Sequence, residues 1–440
     1  MLTNKLKKFF ERHPALPKIM ANINWLTVEK IFNMMISLFI GVWVARYLGP
    51  DKYGVMNYAV AFVALFSPLS RLGLDSIVVR NIVQNPEKKD EYLGTTLVLK
   101  FGGSVALFGL VLFLITFFKT DHPKTQLYVL IIAFGYIFKS IDTINLWFQS
   151  QIQSKYTVFS RSGSLFLVSL LKIAFILTHS PLTAFIWAIT IDTIMTAVFL
   201  FFFYQAKGFL SLFHWKIKIP VVKDLLKDSW PLILSSIAII IYMRIDQVML
   251  GTMLNSSALG IYSAAVKISE KWYFIPTIIS LSVFPSIINT KKKSEGKYLD
   301  RLQKLYDFFT WFSICFALLI TLFSKSIILF LYGQDYSQAS SVLSVHIWAG
   351  VFVFLGIASR RYLIIENATK ITFFRTFSGA LSNVILNVIL IPIYGIMGAA
   401  YATLVSYAIS GYFSNILFKK SRKIFIMFLK SLFPIHYLKK

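Results

Sequence analysis

Charge and cysteine are what this sequence has least of. Only 15% of its 440 residues are Asp, Glu, Lys or Arg, where a soluble globular chain carries about 25%. The single cysteine, Cys315, excludes a disulfide scaffold and a thiolate metal cluster. Histidine occurs six times, as His13, His122, His179, His214, His346 and His436, without metal-ligand spacing. Their positions, mostly at the ends of apolar runs, predict an interfacial role. No G-x-x-x-x-G-K-[ST] pattern is present, so ATP hydrolysis by that route is excluded. Gly102–Gly103 is read as helix packing. The outer acids, Asp51, Asp121 and Asp335, are isolated, so no catalytic pair and no cofactor are expected.

What is present is grease and positive charge. Apolar residues make up 57% of the chain and aromatics 16%, and the formal net charge is +26. The mean hydropathy is +0.68. Disorder is excluded by that aromatic content. A membrane-crossing helix needs about 20 mostly apolar residues, and about twelve such runs can be traced. They are 24–47, 54–72, 92–118, 126–148, 157–178, 181–204, 230–254, 258–287, 306–324, 339–359, 371–392 and 396–418. An all-α membrane protein is therefore expected, with no room between spans for a soluble domain.

Lys5, Lys7, Lys8 and Arg12 imitate the start of a signal peptide, but no short apolar core with a cleavage site follows. Residues 1–20 are expected to lie at the membrane surface. Placing the N-terminus inside puts roughly 30 Lys/Arg in cytoplasmic segments against about 4 opposite, a strong positive-inside bias. Lys216, Lys218, Lys223 and Lys227, the run Lys291–Lys293, and Lys419, Lys420, Arg422 and Lys423 belong to the inside set. Both termini are then cytoplasmic. Contact with anionic lipids explains such loops. Nucleic acid does not, because the cations are spread over many loops and form no domain.

The chain also repeats. L-G-P-D-K-Y-G-V-M-N-Y-A-V-A-F from Leu48 aligns with L-N-S-S-A-L-G-I-Y-S-A-A-V-K-I from Leu254 at a constant offset. Leu48 matches Leu254, Gly54 matches Gly260, Ala59 matches Ala265, and Val60 matches Val266. A parallel repeat of two six-helix lobes follows, related about an axis along the membrane normal. The expected organisation is a basic interfacial segment (1–20), an N-lobe (21–204), a basic cytoplasmic linker (205–229), a C-lobe (230–418) and a basic tail (419–440).

Charges inside the spans are the informative ones, since a central charge costs about 3 kcal/mol and normally faces a partner or a wet cavity. Arg46, Arg71, Arg161, Lys172 and Arg375 lie near span ends and are expected to snorkel to the headgroups. Lys139 and Asp142, at i and i+3, read as a structural ion pair. Lys267, Glu270 and Lys271 share one helical face, where a Lys–Glu pair would leave net positive charge. Arg244 and Asp246 point about 200° apart and must each find a partner elsewhere. Arg244 and Lys267 fall at similar depths, and Lys100 adds a cation from the other lobe. A positive cavity of this kind suits an anion, with Arg244, Lys267, Lys271 and Lys100 as its candidate ligands. Asp246, Glu270 and Asp192 are read as charge compensators or as carriers of H⁺ or Na⁺.

Several segments together carry a resemblance. Ala45–Gly54 (A-R-Y-L-G-P-D-K-Y-G), Trp147-Phe148-Gln149 with Lys155-Tyr156, Arg244–Gly251 (R-I-D-Q-V-M-L-G), Leu259–Ala265, Ser269–Tyr273 with Pro276 and Pro285, Tyr332-Gly333 with Tyr336, and Tyr394–Thr403 occur in order. This series resembles polysaccharide (O-antigen type, Wzx-like) flippases of the multidrug/oligosaccharidyl-lipid/polysaccharide exporter superfamily. The resemblance implies a twelve-helix, two-lobe fold in the bacterial cytoplasmic membrane. It implies transfer of an undecaprenyl-diphosphate-linked oligosaccharide, and a link to polymerase and chain-length machinery. It carries over best at Arg244, Asp246, Glu270 and Lys271. A drug or organic-cation antiporter on the same fold is the first alternative, and the sign of the deep charges argues against it. A membrane glycosyltransferase or polymerase is the second, and the lack of a large outer domain argues against that.

Overall fold

A computed structural model describes residues 16–117, 124–206, 215–291, 293–366 and 368–432. Residues 1–15 of the basic segment expected over 1–20, the outer acid Asp121, and His13, His122, His214 and His436 lie outside the described residues. Every regular element among those described is helical. The principal helices are α1 (Leu16–Leu65), α2 (Asp75–Gln84), α3 (Lys89–Ile115), α4 (Thr125–Phe138), α5 (Thr143–Ser150), α6 (Lys155–Leu177), α7 (Leu182–Ala206), α8 (Ile219–Met253), α9 (Ser256–Glu270), α10 (Phe274–Lys291), α11 (Glu295–Tyr332), α12 (Ala339–His346), α13 (Ala349–Ile365), α14 (Thr369–Tyr394), α15 (Ile396–Gly411) and α16 (Arg422–Leu432).

Among the described residues, 10 helical stretches are long and apolar enough to cross a membrane. The difference from twelve turns on two interrupted segments. One is Asn24–Leu65, with 42 residues. At about 1.5 Å per residue it is about 60 Å long, twice the roughly 30 Å of a bilayer core. Gly49 breaks it, with φ 70° and ψ 170°, a region open essentially to glycine alone. Pro50 then opens the second arm, where a missing N–H costs nothing. The other segment is the expected span 258–287. It forms α9 (15 residues) and α10 (18 residues), joined by a 3₁₀ turn at Lys271–Tyr273. Neither piece alone reaches about 20 residues.

Other boundaries shift as well. The second expected span, 54–72, ends its helix at Leu65, and the basic linker becomes helical from Ile219. The fourth, 126–148, is interrupted by a 3₁₀ turn at Lys139–Asp142. The expected i, i+3 ion pair does not form there. Asp142 pairs with Arg161 at 3.1 Å, while Lys139 sits over the Tyr136 ring.

The chain forms two compact units. One comprises residues 16–47, 63–117, 124–206 and 215–236, and the other 48–62 and 237–432 with the gaps noted above. In the first unit, aromatic and aliphatic side chains of α2, α5, α7 and α8, among them Leu74, Phe148, Tyr204 and Leu225, build a buried cluster. In the second, Tyr298, Tyr306, Phe309, Phe354 and Phe428 form the corresponding core.

The repeat has a structural consequence inside the second unit. A Cβ on Gly54 would lie 1.7 Å from the Ser256 carbonyl oxygen, and one on Gly260 would lie 1.9 Å from that of Pro50. The two glycines matched by the repeat therefore pack backbone to backbone against each other's helices, the close approach that small residues permit.

Candidate functional site

Several polar side chains of the second unit meet at α9. Asn255 caps its N-terminus, accepting a hydrogen bond from the Ala258 N–H at 2.8 Å. The helix closes at Glu270, where the 3₁₀ turn begins with Lys271. Lys267 and Glu270 thus fall in its last turn, facing neighbours from several other helices.

Arg244, on α8, donates to Glu270 Oε2 at 3.1 Å. Its side chain keeps 29% exposure, so the guanidinium has donors to spare for a ligand. A guanidinium offers five N–H groups in a fork that matches phosphate oxygens. Asp246, two residues on, is buried and accepts from the Gln247 N–H at 2.8 Å and from the Tyr262 hydroxyl. The Thr403 hydroxyl on α15 reaches the same carboxylate at 3.5 Å. As their opposed directions on the helix require, each finds its partners on another element.

Lys267 does not pair with Glu270, contrary to the i, i+3 expectation. The carboxylate is taken by Arg244, and Lys267 Nζ donates to the Tyr53 hydroxyl at 2.8 Å. Tyr53 is fully buried and belongs to the second arm of α1. Three bases (Arg244, Lys267, Lys271) and two acids (Asp246, Glu270) therefore occupy neighbouring positions of α8, α9 and the turn. Positive charge is in excess there.

Lys100 and Asp192 belong to the first unit. Lys100 is only 2% exposed, and its Nζ lies 2.6 Å from Asp75 Oδ1 at the start of α2. Its charge is answered locally. Asp192 on α7 accepts from the Ser164 hydroxyl of α6 at 2.7 Å.

Sequence reasoning missed Tyr53, Tyr262 and Thr403 and misplaced His346 and Arg375. Tyr53 and Tyr262 are two of 21 tyrosines, and although both lie in segments that carry the resemblance, nothing there assigns them to a charged partner. His346, expected at an interface, is buried on α12, with Nδ1 2.9 Å from the Ser269 hydroxyl and its ring edge-on to Tyr262. Arg375, expected to snorkel, is 5% exposed and turns inward. It donates to the carbonyls of Ser410 and Gly411 at 3.0 and 3.2 Å and to the Ser359 hydroxyl at 2.8 Å. Those carbonyls close α15, so the guanidinium caps the negative end of that helix.

Comparison with known proteins agrees with this architecture. Residues 19–291 match the family model described as polysaccharide biosynthesis protein. A probable flippase, AglR, of Haloferax volcanii is 26% identical over 86% of this chain and 78% of its own length. The capsular polysaccharide biosynthesis protein CapF of Staphylococcus aureus is 20% identical over 88% of this chain and 95% of its own. Among solved structures, lipid II flippase MurJ in an inward closed conformation superposes with a TM-score of 0.73 at 16% identity, covering 96% of this chain and 93% of that one. An inward-facing multidrug transporter of the MATE family gives 0.65 at 14% identity, over 92% and 95%. Both likenesses are of fold, and this is a multi-pass helical membrane protein. The family match spans more than half of the sequence, and the chain belongs to the polysaccharide biosynthesis protein family.

Proposed function

We propose that this protein is a flippase that carries a polyprenyl-diphosphate-linked oligosaccharide, undecaprenyl in a bacterium, across the cytoplasmic membrane for surface polysaccharide assembly. The observation that carries the reading is the Arg244–Glu270 pair. It is a partly exposed guanidinium, 29% open, within the membrane-embedded helices of a chain in this family. A charge at that depth needs a partner or water, and its open donors suit a diphosphate. Lys267 and Lys271, beside Glu270 in sequence on α9 and its closing turn, supply mobile cations. Lys100, already paired, has the weakest claim to the phosphate.

The lipid-linked substrate enters sideways from the inner leaflet, its sugars in the wet cavity and its tail left in the bilayer. Alternating access of two six-helix lobes, both termini cytoplasmic, then releases it outside. Coupling to H⁺ or Na⁺ would run through Asp246, Glu270 or Asp192, and the product would pass to polymerase and chain-length machinery. The test is a gene deletion complemented by Arg244→Ala or Lys267→Ala. Lipid-linked repeat units should accumulate facing the cytoplasm in each case. Normal surface polysaccharide from well-expressed variants would reject the reading.

A further inference from the structure

Away from the charged network, the second unit contains a cavity of about 540 Å³, within the roughly 300–1,000 Å³ of small-molecule sites. Its walls come from α11, α13, α15 and α16 and include Ile314, Trp348, Leu355, Leu404 and Phe428. Thr310 adds the one aliphatic hydroxyl. Three further lining residues, Val405, Phe413 and Leu432, are exposed. The cavity thus opens on a surface of membrane-crossing helices, where the surrounding medium is lipid.

Four exposed cations, Lys419, Lys420, Arg422 and Lys423, lie in the chain between two of its lining residues, Phe413 and Phe428. They follow Phe413 and open α16, and Arg422 Nε is anchored to the Ile416 carbonyl at 2.9 Å. Phe428 lies six residues beyond Arg422, about 9 Å along the helix at 1.5 Å per residue. No Asp or Glu follows Glu366 in the sequence. Among the described residues none of the four makes an ion pair. Helix α16 itself is amphipathic, with Ile424, Met427 and Phe428 buried and Lys423, Ile426, Leu429 and Lys430 exposed. Such a helix lies in the headgroup plane with its cations toward anionic lipid.

We propose that this cavity holds one acyl chain of an anionic phospholipid whose phosphate sits on Lys419, Lys420, Arg422 and Lys423. The apolar walls replace neighbouring lipid tails, and the unanswered cations select the headgroup. The site is separate from the Arg244 network and does not depend on what the protein transports.

Trp348 in the wall supplies the readout, because bromine on an acyl chain quenches a tryptophan it touches. The full chain is reconstituted in vesicles doped with phosphatidylglycerol or phosphatidylcholine carrying brominated chains, at equal bromine content. Phosphatidylglycerol is expected to quench at least twofold more. That excess should vanish in Trp348→Phe and in the combined Lys419→Gln, Lys420→Gln, Arg422→Gln, Lys423→Gln variant. Ala408→Phe, which fills the cavity, should reduce it. Equal quenching by the two lipids in the unaltered protein would overturn the proposal, as would a preference that survives loss of the four cations. Recovery of fluorescence on adding a polyprenyl diphosphate, but not on adding unbrominated phosphatidylglycerol, would make the occupant the substrate tail and equally overturn it.

Discussion

At the scale of single residues, Arg244 and Arg375 separate what a deep arginine can be for. Arg375 spends its donors on the last carbonyls of α15 and on Ser359. Hydrogen bonds from a charged group contribute about 1.5–3 kcal/mol each, and unmet carbonyls are costly. Arg375→Met should lower the melting temperature in detergent clearly, while transport per folded molecule stays within twofold. Arg244 differs because it is partly exposed and held by one acid. Arg244→Ala strands Glu270 and should destabilise by at most about 3 kcal/mol. Adding Glu270→Ala removes the stranded charge, so the double variant should regain stability without regaining transport. If transport returned with stability, Arg244 would be a structural partner and nothing more. Sequence pattern placed Arg244, Asp246, Lys267 and Glu270 together because helical spacing and depth can be counted. It could not give Glu270 to Arg244, 26 positions away, nor bring His346 and Thr403 to α9, since such contacts are set by packing between helices.

At the scale of elements, glycines show which parts of the helix pattern were legible. The repeat drew attention to Gly54 and Gly260, and both turn out to face backbone at distances no Cβ tolerates. Gly54→Ala and Gly260→Ala should each abolish folded yield, read by size-exclusion chromatography of the detergent-extracted protein. Gly102 is the control. A Cβ there meets nothing within 4 Å, so Gly102→Ala should be neutral or gain up to about 1 kcal/mol in helix propensity. Gly103 next to it packs against the Leu69 carbonyl, so the packing role read for the pair belongs to Gly103 alone. Gly49 constrains the chain by torsion, with no neighbour in the way, and Gly49→Ala should cost about 1–3 kcal/mol. The Leu-Gly-Pro signature made this break readable. The 3₁₀ turns at Lys139–Asp142 and Lys271–Tyr273 carry no Gly, and no Pro stands inside them. Apolar periodicity runs through them, which is why neither break was foreseen and 258–287 was read as one span.

At the scale of the whole molecule, the +26 charge divides into orientation and function. On the proposed topology most cations lie in segments whose positive-inside bias sets orientation, and the proposal assigns the smaller surplus within the helices to the substrate. A membrane potential acts on net charge moved, at about 2.3 kcal/mol per charge per 100 mV. A diphosphate crossing alone carries about two negative charges outward, so a potential negative inside should favour export by about 4–5 kcal/mol at 100 mV. At about 1.4 kcal/mol per tenfold, that is roughly a thousandfold in the limiting accumulation ratio. Entry of one H⁺ or Na⁺ per cycle would add a further positive charge moving inward and steepen the dependence. Vesicles clamped at set potentials by a potassium gradient and valinomycin measure it. An export ratio that rises with inside-negative potential supports net outward movement of the anionic headgroup in each cycle. If the ratio were flat across 0 to 100 mV, cations from solution would have to leave with the phosphate and cancel its charge, because Arg244 and Lys267 return to their starting positions at the end of every cycle. The cavity would then be a carrier of neutral complexes, and the charge surplus would set affinity without setting direction.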